Sequence, residues 1–151
     1  MNTITLKNSS ANLNRIESFV EQICEGFNIN DTFLGNMIIA ITEVINIIEV
    51  ENAEMSITFQ NQQKKFFFIF SDFSEELDLD LFTNDKVMLD DAISETENSL
   101  FMINALCDDL IIDKRERKIV LTFVNEGVDD ILSRHRKNYL NKYLNQHLKV
   151  N

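Results

Sequence analysis

Proline is absent from this chain and glycine nearly so: Gly26, Gly35 and Gly127 are all there is in 151 residues. From Asp72 to Glu126 there is no glycine at all. Backbone that approaches a phosphate closely, or takes positive φ cheaply, is therefore scarce in that half. With no proline, no repeat and no low-complexity linker, the chain parses as one domain carrying an added helix. Its length is enough to bury a core without disulfides or metal. Cys24 and Cys107 are far apart and each falls in an apolar helical pattern, so two buried thiols are expected. Neither has a second cysteine or a histidine nearby, which excludes zinc spacing. His135 and His147 have no acidic or cysteine company, and no nucleophile–base set of the Ser-His-Asp kind is present. No apolar run is expected to approach a membrane span of roughly 18 residues. The start, Met1-Asn2-Thr3-Ile4-Thr5-Leu6, does not read as a secretory signal. These absences predict a cytoplasmic protein that does not engage membranes.

Charge is unevenly spread. Residues 1–113 hold 21 acidic and 5 basic side chains, and residues 114–151 hold 4 acidic and 9 basic, within a net charge of −11. The acidic body would repel nucleic acid. The basic tail suits the acidic body itself or an acidic partner.

The apolar pattern gives the element order. Thr3-Ile4-Thr5-Leu6 predicts a first strand. Leu13, Ile16, Val20, Ile23, Cys24 and Phe27 form one helical face over residues 12–27, and Leu34, Met37, Ile38, Ile41, Val44, Ile45 and Ile48 form another over 31–48. Met55, Ile57 and Phe59 alternate as in a half-buried strand. Asn61-Gln62-Gln63 supplies a turn, and residues 65–71 then read as a central strand ending at Asp72. A carboxylate at the carboxyl end of a core strand stands where such sheets usually hold ligands. Residues 73–97 show no period and predict a long acidic loop, with a short helix near 87–93. Asp78-Leu79-Asp80-Leu81-Phe82 lacks the third ligand and the glycine of a calcium loop. Helix 98–109 and a hairpin of strands 110–114 and 118–124 follow. Residues 128–148 predict a long amphipathic helix whose apolar stripe packs on protein. The fold class implied is α+β: a two-layer sandwich with a mixed sheet and its helices on one face. The domain covers 1–126, and 127–151 is a C-terminal helical extension.

This order resembles the histidine-kinase-like (GHKL) ATPase superfamily in its small anti-sigma-factor serine kinase form, over about residues 3–124. Ile39-Ala40-Ile41-Thr42-Glu43-Val44-Ile45 resembles the second-helix segment in which a glutamate precedes a magnesium-binding asparagine. Ile69-Phe70-Ser71-Asp72 resembles the strand whose aspartate binds the adenine amino group. The segment from Ser99 to Asp109 resembles the helix after the lid. The resemblance makes Glu43 the candidate catalytic base, Asp72 the candidate adenine ligand and Asn46 a candidate magnesium ligand. It also departs from the family. The asparagine is expected four residues after the glutamate, where Ile47 stands, and Asn46 is one step, roughly 100°, off that position. Phe73-Ser74-Glu75-Glu76 replaces the glycines after the aspartate. Glu95-Thr96-Glu97-Asn98-Ser99 replaces the glycine-rich entry to the later helix. Glu95 and Glu97 suit the helix dipole themselves but oppose a triphosphate. A like-charge pair about 4 Å apart costs roughly 4 kcal/mol at an effective dielectric near 20. The expectation is a degenerate member, a regulatory signalling protein acting by protein binding, with ATP binding weakened or lost. No metal and no other cofactor is expected. Partners implied by the resemblance are a sigma factor, an anti-sigma antagonist or another signalling domain, with a homodimer left open. The alternative is a working ATP- and magnesium-dependent serine kinase with an atypical phosphate site.

Overall fold

The computed structural model describes residues 2–7, 12–27, 29–48, 54–83, 95–125, 139–140 and 142. Five strands, β1 (Asn2–Leu6), β2 (Met55–Gln62), β3 (Lys65–Ser71), β4 (Asp109–Asp113) and β5 (Lys118–Val124), form one sheet in the order β1-β2-β3-β5-β4. Among the described residues, three helices, α1 (Asn12–Glu25), α2 (Asp31–Ile48) and α3 (Glu95–Leu106), join the sheet in an α+β arrangement, with a 3-10 turn at Leu79–Phe82.

All four strand pairings are antiparallel, so the sheet is not mixed as expected. The reason lies in the connections. The paired helices α1 and α2 return the chain beside β1 in the opposite direction. The single helix α3 does lead from β3 to a strand of the same direction, β4. The β4–β5 hairpin, however, folds β5 between them. Parallel neighbours never meet.

Burial follows the strand period of two. Phe66, Phe68 and Phe70 are buried, as are Ile57 and Phe59 on β2 and Ile119, Leu121 and Phe123 on β5. Phe67 and Ile69 point the other way and are half-buried. The helices cover the first of these faces. Phe27, just after α1, meets Phe59 and Phe66 edge-on, and Phe33 of α2 meets Phe66 and Phe123. Edge-to-face ring pairs of this kind add about 0.5–1.5 kcal/mol each beyond burial. β3 is the middle strand, as its unbroken apolar run predicts.

α2 has the length and mean hydropathy of a membrane span. Its apolar side is core instead: Met37, Ala40, Ile41, Val44, Ile45, Ile47 and Ile48 are buried within the domain. On α1 the buried face is Ile16, Phe19, Val20 and Ile23, whereas Leu13, expected on that face, is exposed.

The long loop expected after β3 is only partly a loop. Residues 73–83 fold onto the core, burying Phe73, Leu77, Leu79 and Phe82. Their spacing fits neither helix nor strand, so periodicity did not reveal them. Residues 84–94, including the helix expected near 87–93, lie outside the described residues. The helical extension over 128–148 lies there too, apart from Tyr139, Leu140 and Lys142. Leu140 packs against the core, and the Tyr139 ring lies 6.3 Å from that of Phe101 on α3.

Candidate functional site

The candidate residues lie on two elements: Asp72 just past the end of β3, and Glu43 and Asn46 on α2, which packs beside α3. Ser71, paired with Ser56, is the last residue of β3. Asp72 then takes a left-handed backbone with φ 60 and stands exposed. Aspartate and asparagine tolerate this region better than other side chains, because their short polar groups satisfy local backbone. The turn alone is thus a sufficient reason for an aspartate here.

Past the turn the chain plunges inward. Phe73 is buried, and the Arg117 guanidinium carbon lies 5.5 Å from its ring centroid. Arg117 Nη2 donates to the carbonyls of Ser74, at 3.1 Å, and Leu77, at 2.9 Å. Two carbonyls converging on one cation make a clasp that fixes both ends of the 74–77 turn. Within that turn Leu77 N–H donates to the Ser74 carbonyl, and Glu76 N–H donates to Ser74 Oγ. Asp78 Oδ1 accepts from Asp80 N–H and caps the 3-10 turn. Lys114 pairs with the Asp80 carboxylate. Both cations come from the turn between β4 and β5, where Arg117 itself has φ 55. The Asp78 and Asp80 carboxylates are engaged in cap and ion pair. Among the described residues no group of three or more His, Cys, Asp or Glu is arranged to hold a metal ion.

Glu43 lies half-buried on the side of α2 that faces α3. Ser99 Oγ donates to Glu43 Oε2 at 2.6 Å, a short charge-assisted bond between residues 56 apart. Ser99 is 6% exposed. A hydroxyl this enclosed does not reach a substrate, and the carboxylate holding it pins α2 to α3. Four residues on, Ile47 is buried, while Asn46 is exposed. α2 remains a regular helix through Ile48, so the rotation between positions 46 and 47 is not undone. The position that would need an oxygen ligand presents a hydrocarbon to the core, and Asn46 is not brought together with Glu43.

Glu95 and Glu97 occupy the first turn of α3, which begins three residues before the expected start. Their carboxylates complement the unpaired N–H groups of that turn. At the far end of α3, Asp108 Oδ2 accepts from Val124 N–H at 2.6 Å, and Asp108 N–H donates to the Thr122 carbonyl, tying the helix exit to β5.

Glu43 is thus engaged by Ser99, and the backbone after Asp72 is clasped by Arg117, so these groups hold structure. Sequence reasoning missed Ser99 as the partner of Glu43 and Arg117 as the clasp. Ser99 gives no local signal, since its partner is distant in sequence. Arg117 gives one: a basic cluster, Lys114-Arg115-Arg117, follows a strongly acidic segment in a body that has few other cations. No known protein family matches this chain, and no curated protein sequence matches it.

Proposed function

We propose that this chain is a non-catalytic regulatory domain of the histidine-kinase-like type, resembling anti-sigma-factor serine kinases, and that it acts by binding a protein rather than by turning over ATP. One observation carries the reading: the segment after Asp72, where a nucleotide-binding relative needs open, glycine-rich backbone, is packed into the core and clasped by Arg117. Two others support it. The Glu43 carboxylate is engaged by Ser99, and Ile47 fills the position of a metal-binding asparagine. A partner would be another signalling protein of the bacterial cytoplasm: a sigma factor, an antagonist of an anti-sigma factor, or a related domain. Calorimetric titration with ATP and magnesium tests the reading. No saturable heat is expected, and micromolar or tighter binding overturns it.

A further inference from the structure

Positive charge is concentrated at the turn between β4 and β5. Lys114, Arg115, Arg117 and Lys118 fall within five positions there, whereas residues 1–113 hold only five basic side chains in all. The segment packed against this turn has the opposite sign: residues 72–80 carry Asp72, Glu75, Glu76, Asp78 and Asp80 and no cation. The two meet at Lys114, which pairs with the Asp80 carboxylate, and at Arg117, which donates to the Ser74 and Leu77 carbonyls.

Neither contact is closed to solvent. The Lys114 and Asp80 side chains are 62% and 52% exposed, and Arg117 is only half-buried. An ion pair so exposed contributes little to the fold. A carbonyl is also a weaker acceptor for a guanidinium than a carboxylate, which takes it bidentately. Arg115 is exposed and makes no ion pair or hydrogen bond among the described residues. The turn itself is held in shape, since Glu116 N–H donates to Asp113 Oδ1 at 3.0 Å and Lys118 pairs with Glu116. It is thus a preorganised set of cations whose present partners are incomplete and replaceable.

We propose that the β4–β5 turn is a docking site for an acidic peptide segment of a protein partner, and that the chain's own segment after Asp72 is its built-in competitor. This deepens the protein-binding reading and rests on it. Charge selects the occupant. A long polyanion such as a nucleic acid would run from the turn onto an acidic body, whereas a short run of Glu and Asp needs only the cations of one turn. Its carboxylates take Arg115, then replace Asp80 on Lys114 and the two carbonyls on Arg117. Docking and release of residues 73–83 are therefore coupled. By linkage, a change that frees the cations from that segment strengthens docking.

Fluorescence anisotropy of a labelled hexaglutamate peptide with the full chain tests this. A chain of net charge −11 has no general attraction for such a peptide. Saturable binding is expected at low ionic strength, weakening as salt rises. Arg115→Glu, at an exposed turn position, should weaken it about tenfold with an unchanged circular dichroism spectrum, and Arg115→Gln about threefold. Asp80→Asn should strengthen it about threefold. Glu75→Gln removes the same charge without freeing a cation and should change it less. Absence of binding overturns the proposal, as does binding indifferent to Arg115→Glu, which would place the peptide on the basic residues 134–142. Equal effects of Asp80→Asn and Glu75→Gln overturn the competitor. A single-stranded oligonucleotide of the same charge that binds more tightly than the peptide overturns the choice of occupant. Titration with ATP judges the protein-binding reading separately, so failure of one is not mistaken for failure of the other.

Discussion

Replacing Arg117 by alanine removes the clasp that holds the chain after Asp72. Two bonds are lost, from Nη2 to the Ser74 and Leu77 carbonyls, along with the guanidinium over Phe73. A hydrogen bond to a charged group contributes about 1.5–3 kcal/mol net. Here one nitrogen serves both acceptors and the side chain is part-exposed, so the pair together is worth about 2 kcal/mol, and the ring contact adds about 0.5. Alanine in the left-handed region is as strained as arginine, so the difference isolates the side chain. The expected loss is about 2–3 kcal/mol, or roughly 5–10 °C in Tm for a domain of this size. Urea denaturation gives the first number. Hydrogen exchange gives the place: the amides of Leu77, Leu81 and Thr83, which bond within the 73–83 segment, should exchange faster, while those of β3 change only by the global amount. Arg117→Lys should recover little, because an ammonium lacks the planar fork that reaches two carbonyls and stacks on a ring. A change below about 0.5 kcal/mol with unaltered exchange would refute the clasp, leaving burial of Phe73, Leu77, Leu79 and Phe82 as the whole cause of order there.

Further outcomes follow from the same geometry. Ser99→Ala should cost about 1–2 kcal/mol by leaving the half-buried Glu43 carboxylate without its donor; chemical denaturation measures it, and no loss would mean that water replaces the hydroxyl. Asp72→Asn and Asp72→Gly should leave Tm nearly unchanged while Asp72→Ala lowers stability by about 1 kcal/mol, because the left-handed turn rather than a ligand sets this residue; equal losses in all three would point to a role for the carboxylate itself. Burial, reinforced by the Glu21 charge, pushes the Cys24 thiol up from 9.0 to about 11. At pH 8 its thiolate is about a hundredfold rarer than that of an ordinary cysteine, and its higher nucleophilicity offsets about half of that on a logarithmic scale, so alkylation should run roughly tenfold slow. The neutral thiol favours the folded state, so this contribution is complete below pH about 9 and fades as pH rises through about 11.

Much of the layer architecture was legible because one-sided burial writes itself into spacing. Ile16, Val20 and Ile23 mark α1, and Ile57 and Phe59 mark β2. Strand direction was not legible, since it depends on β5 folding between β3 and β4, and no residue in either strand encodes its neighbour. The ordered 73–83 segment was hidden for a different reason. Its four buried residues anchor an irregular path, and the Arg117 that clasps it comes from a distant hairpin turn. At the candidate site, the Ile47 and Asn46 offset could be read from sequence and the regular α2 preserves it. The Glu43–Ser99 bond could not, being a contact across 56 residues.

The central claim is that the region around Asp72 holds structure and not a nucleotide. Isothermal titration of the full chain with ATP and magnesium tests it most directly. The account predicts no saturable binding up to millimolar nucleotide, where the binding free energy is only about −4 kcal/mol. Micromolar binding abolished by Asp72→Ala with the fold intact would contradict it.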